Sequence, residues 1–144
     1  YWWDMLLCIY DAHYTSQVGN DFPVIRCADL VLMCAGACCQ TGEMPGAIAQ
    51  LNKTRTRAGL PALSAAEVSG KEAFIKELAD ERGREFALEG QRWYDLVRLG
   101  LAVSFFKDMG YTIDAHQLIF PIPQDQIQIV NDKSILWQNP GYGD

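Results

Sequence analysis

Four charged side chains in the stretch ERGREFALEGQRWYDLVRLG, residues 81–100, fall where apolar residues belong. At about 100° per residue, Phe74, Ile75, Leu78 and Phe86 define one apolar arc of a helix that the spacing predicts from about Lys71 onward. Glu81, Arg82, Glu85 and Glu89 share that arc, while Lys76, Glu77, Asp80, Gly83 and Arg84 take the opposite, solvated face. Two chemistries use such a cluster. Glycoside hydrolysis needs two carboxylates about 5–10 Å apart, one of them protonated, and Glu81 with Glu85 or Glu89 meets that spacing. A buried ion-pair lattice needs a guanidinium for each acid, and unpaired charges on a core face each cost several kcal/mol.

The arginines decide between them. Arg82 precedes Glu85 by three residues and Glu89 precedes Arg92 by three, which is within-helix pairing distance. Arg55, Arg57 and Arg98 are bidentate partners if the preceding helix packs nearby. A carboxyl beside an arginine is the opposite of a general acid, so the sequence favours a structural network over catalysis. It offers no Ser/His/Asp order, phosphate-cradling glycine loop or metal-binding carboxylate motif, and no catalytic residue, metal or cofactor is expected.

Five cysteines invite a metal or disulfide reading. Cys27, Cys34 and Cys38 recur at seven- and four-residue spacings on one predicted helix, with Cys39 adjacent and Cys8 distant. There is no C-x-x-C pair and only His13 and His116 supply imidazole, which disfavours zinc. Two cysteines four apart on a helix lie near the outer limit for a disulfide. The thiols are therefore expected to be small buried hydrophobes in a tightly packed helix.

The elements that position these groups are helices and loops. Ile25, Ala28, Leu32, Ala35 and Cys39 mark a helix from Val24 to about Cys39, apolar on most sides, which must be buried against at least two neighbours. Thr41-Gly42 ends it, Pro45 opens a second helix to about Ala58 with Ala47, Ile48 and Leu51 inward, and Gly59 with Pro61 stops that. So short a turn predicts an antiparallel hairpin. After a polar loop comes the charged helix, broken or bent near Gly90. A short helix with Trp93, Leu96 and Val97 inward follows, ending at Gly100. Beyond Gly110 the reading is loop-like: Pro121 and Pro123 bar a central strand, residues 124–130 form a brief helix, and QNPGY is turn chemistry.

Residues 1–22 mix Trp2, Trp3, Tyr10 and Tyr14 with Gly19 and read as irregular structure cut from a preceding region. Their start, YWWDMLLCIYD, has no basic n-region and does not read as a signal peptide; Met5-Leu6-Leu7-Cys8 has Leu7 where a lipoprotein cleavage box needs a small residue. With 144 residues and 49% hydrophobic content the chain can bury one modest core. A net charge of −6 argues against nucleic acid, and no apolar run is long enough to span a bilayer.

ERGREFALEGQRWYDLVRLG is similar to the signature near the carboxyl end of the SusD/RagB family, nutrient-capturing outer-membrane lipoproteins of Bacteroidetes-type bacteria. Three further blocks resemble the family in the same order: PVIRCADLVLMCAGA at 23–37, AIAQLNKTRTRAGLPALS at 47–64, and FPIPQDQI at 120–127 with a terminal QNPGY. The chain departs from the family pattern at Cys27, Cys34 and Gly36, where two tyrosines and a glutamate are usual, and at Gly83, where a basic residue is usual.

The resemblance implies a mainly α, SusD-like scaffold with a tetratricopeptide-like helical hairpin, long irregular loops and little strand. Residues 23–144 would be a carboxyl-terminal domain portion of a protein several times longer. It further implies a non-catalytic protein lipid-anchored on the outer leaflet of the outer membrane through an anchor absent from this chain. There it captures oligosaccharides for uptake through a SusC-like TonB-dependent transporter. Sugar capture uses aromatic platforms, for which Trp2, Trp3 and Trp137 are the candidates, although packing is the expected role for Trp137 and sugar contact its alternative. Trp93 and Tyr94, inside the signature, are expected in the core, and the family's ligand contacts lie mostly upstream. The alternative is a helical-hairpin scaffold that binds peptide or protein segments.

Overall fold

A computed structural model describes residues 24–143. Among the described residues six α-helices follow one another: α1 (Cys27–Gln40), α2 (Met44–Arg57), α3 (Lys71–Glu85), α4 (Arg92–Arg98), α5 (Ala102–Asp108) and α6 (Gln124–Val130), with a 3₁₀ turn at Ala115–Leu118. No strand occurs among the described residues. The expected division at residue 22 and the irregular reading of residues 1–22 fall outside them.

α1 and α2 form the expected hairpin. Thr41 closes α1 by donating its hydroxyl to the carbonyls of Ala37 and Cys38 at 3.2 and 3.0 Å, and Gly42 turns the chain at φ +85°. Pro45 then lies in the first turn of α2, where its missing N–H costs nothing. α3 packs against both helices. Leu32, Ala35 and Cys39 of α1 meet Ala47, Ile48 and Leu51 of α2 and Phe74 and Leu78 of α3, with Val68 and Phe86 sealing the ends. Gly36 has a reason to be in a helix that its propensity penalises: a Cβ there would stand 3.3 Å from Leu78 Cδ2, so its absence brings α1 and α3 close.

Arg55 Nε donates to the Pro61 carbonyl at 3.1 Å, and an amide pins the next part of the connection from α2 to α3. Asn52 donates to the Leu63 carbonyl at 2.9 Å and accepts from the Leu63 N–H at 2.8 Å, doing for one residue what a neighbouring strand would do. Past α3, α4 and α5 build a small aromatic satellite, with Trp93 5.9 Å from Phe106, Phe105 edge-on to Phe106 at 5.6 Å, and Arg92 over Phe105. Tyr94, expected in the core, is exposed, because it points away from the arc that carries Asp95 and Leu96 inward.

Other expectations are met in part or corrected. α1 is buried against two neighbours, as expected, but on one side only, since α2 and α3 both take the arc of Leu32, Ala35 and Cys39 and leave Leu30 and Met33 in solvent. Of the cysteines expected to be buried, only Cys39 is; Cys38 is half-buried, Cys27 and Cys34 are exposed, and none of these four is bonded to another. Cys8 lies outside the described residues. Trp137 is 62% exposed, so the packing role does not describe it.

Candidate functional site

The charged arc of α3 is met by charges from every helix around it. Arg82, only 4% exposed, donates from Nε to Asp95 of α4 at 2.7 Å, from Nη1 to Asp29 of α1 at 2.7 Å and from Nη2 to Gln91 at 3.0 Å. One guanidinium therefore ties three helices, and all of its nitrogens are occupied. Asp95 also accepts from Arg98 Nε at 2.9 Å. Glu81, equally buried, accepts from Arg84 at 2.8 Å and lies 3.5 Å from Arg55 of α2.

A second group sits at the end of α3. Glu85 receives Arg57 of α2 and Arg26, both at 2.5 Å, and Arg26 also reaches Glu89 at 2.9 Å and the backbone carbonyl of Glu85. Phe86 is buried beneath two guanidiniums, Arg26 at 4.5 Å and Arg82 at 4.8 Å from the ring centroid. Burial by itself would lower the Arg26 guanidinium, but hydrogen bonds to Glu89 and Glu85 outweigh it and hold the group above its ordinary value. No buried side-chain nitrogen or oxygen among the described residues lacks a hydrogen-bond partner.

The pairing differs in detail from what spacing implied. Glu89 pairs with Arg26 rather than Arg92, and Arg82 turns from Glu85 to the two aspartates. Arg92 instead donates to the Ala79 carbonyl and lies over Phe105. Its guanidinium fills the space beside Gly83, where a Cβ would stand 2.7 Å from Nη1.

Sequence reasoning overlooked Arg26, Asp29, Gln91, Asp95 and Arg84 as partners. Asp29 had a signal: it is a lone carboxylate in an otherwise apolar helix, three residues after Arg26. Asp95 had a weaker one, sharing the inward arc of α4 with Leu96.

What this arrangement can do is hold helices in register. Glu81, Glu85 and Glu89, the acids a hydrolase would use, are each bound by at least one guanidinium. Two thiols are held protonated: a hydrogen bond with Glu43, then burial, push Cys38 up to about 11, and burial raises Cys39. An open cleft of about 680 Å³ lies beside the lattice, lined by Asp80, Gly83, Leu88, Arg92 and Trp93. Leu88 stands at its rim in a left-handed conformation, φ +66°, with its side chain 80% exposed.

The exposed aromatics lie elsewhere. Trp137 is on the arm formed by residues 110–143, near a clamp in which Gln138 accepts from the Ile122 N–H at 2.7 Å and donates to the Ile122 carbonyl at 2.8 Å. Asn139 Nδ2 donates to the Phe120 carbonyl and the Tyr142 hydroxyl to that of Ile119, at 2.7 and 2.8 Å. The arm thereby displays Ile119 and Phe120 in the same region as Trp137. Trp2 and Trp3 lie outside the described residues.

An all-helical scaffold with this lattice at its centre matches known proteins. The SusD family model matches residues 11–117 of the chain, which belongs to that family. SusD-like protein P2 of Formosa agariphila is 28% identical over 147 residues, covering 90% of this chain and 29% of the relative. SusD-like protein P38 of the same organism is 31% identical over 128 residues, 83% of this chain and 25% of the relative. Among solved structures, a SusD superfamily protein from Bacteroides thetaiotaomicron superposes with a TM-score of 0.66 at 30% identity, covering 83% of this chain and 26% of that one. B. fragilis NanU superposes at 0.61 with 30% identity, covering 88% and 28%. The chain thus spans about a quarter of the length of the relatives it matches.

Proposed function

We propose that residues 23–144 are a carboxyl-terminal portion of a non-catalytic, outer-membrane nutrient-binding lipoprotein. In this reading the whole protein captures oligosaccharides at the cell surface and passes them to a SusC-like TonB-dependent transporter. The observation that carries the reading is membership of the SusD family over residues 11–117. Two features of the chain support it. Its concentrated charge is consumed by helix-to-helix pairing, leaving Glu81, Glu85 and Glu89 without a proton-donor role. Trp137 stands in solvent on a clamped arm, an indole positioned to stack on a sugar ring. Within this portion the lattice is a scaffold for a binding surface shared with other parts of the protein.

Isothermal titration of the whole protein and of this chain against a panel of plant and host oligosaccharides tests the reading. Binding by the whole protein alone puts the sugar site outside this chain. Binding by both, weakened at least about tenfold by Trp137→Ala, assigns a platform to the arm. An absence of carbohydrate binding in either, with uptake of peptides intact, sinks the oligosaccharide reading.

A further inference from the structure

We draw no further inference here: the strongest candidate, the open cleft of about 680 Å³ beside α3 and α4 with Leu88 at its rim, has its guanidiniums, Arg82, Arg84 and Arg92, already engaged with groups of this chain, and nothing in the structure shows what covers it.

Discussion

Residues 26–108 and residues 110–143 hold their shapes by different means. In the first region buried side chains from three helices share an apolar core, and charges cross between helices: Asp29 and Arg82 are 53 positions apart, Arg26 and Glu89 63. In the second no described residue is buried, and the fixed points are side chains each bonded to the backbone of one residue: Gln138 on Ile122, Asn139 on Phe120 and Tyr142 on Ile119. The difference teaches where cooperativity comes from. A lattice in which one guanidinium serves three helices fails as a unit, whereas each clamp of the arm can open with little consequence for the next.

The largest effect belongs to the lattice. Arg82→Ala leaves Asp29 in the interior without its partner and Asp95 with Arg98 alone, and is expected to cost about 3–5 kcal/mol, seen as a lower denaturation midpoint at unchanged m. Replacing all three by apolar residues of similar volume is expected to recover most of that loss, because the penalty lies in the acids deprived of Arg82. A loss below about 1 kcal/mol for the single substitution would mean that the lattice does not hold the helices, and the contrast with the arm would collapse.

Gly141→Ala probes the other side. Its backbone is at φ +91° and a new Cβ would stand 2.5 Å from the side chain of His116, which packs edge-on against Tyr142. Strain of about 1–2 kcal/mol is expected from the left-handed conformation, with more from the contact. Because the arm shares no buried residue with the core, the expected outcome is loss of the His116–Tyr142 ring-current shift by NMR with the helical melting midpoint retained. A midpoint that falls in step would make arm and core one cooperative unit.

This same division governs what was legible in the sequence. Helices α1 to α3 announced themselves because apolar periodicity, Thr41-Gly42, Pro45 and Gly59 are local signals, and the arc holding Glu81, Arg82, Glu85 and Glu89 followed from that periodicity. Which guanidinium meets which acid did not follow, since a period gives the face of a helix and not the neighbour across from it. Arg26 pairs with residues some 60 positions away, and Arg92 comes to rest beside Gly83 and over Phe105 rather than on Glu89. In the arm the brief helix α6 was readable after Pro123, but a clamp made by one amide on one residue leaves no periodic trace. The solvent arc of α1 departed from the reading for a related reason: apolar composition on most sides of a helix does not say that both its neighbours take the same side.

The smallest effect is a titration, and it compares the two regions by the same chemistry. Asp132 of the arm accepts from the Ser134 hydroxyl and N–H at 2.6 and 2.9 Å, and those bonds hold its carboxyl below the ordinary 3.8. Glu67, in the loop before α3, accepts from the N–H and hydroxyl of Ser64, both at 2.7 Å, and is held below 4.5. In each case the folded form binds its proton less readily than the unfolded chain. The stabilisation is therefore present above the ordinary value and is lost as the pH falls through the lower folded one. Ser134→Ala and Ser64→Ala are expected to return each carboxyl toward its ordinary value in an NMR titration, with little change in overall stability because both groups are exposed. Repeating the titration in rising denaturant separates the regions: Asp132 is expected to lose its depression while Glu67, tied through Val68 to the core, keeps it. Simultaneous loss would show that the arm is held by more than its clamps.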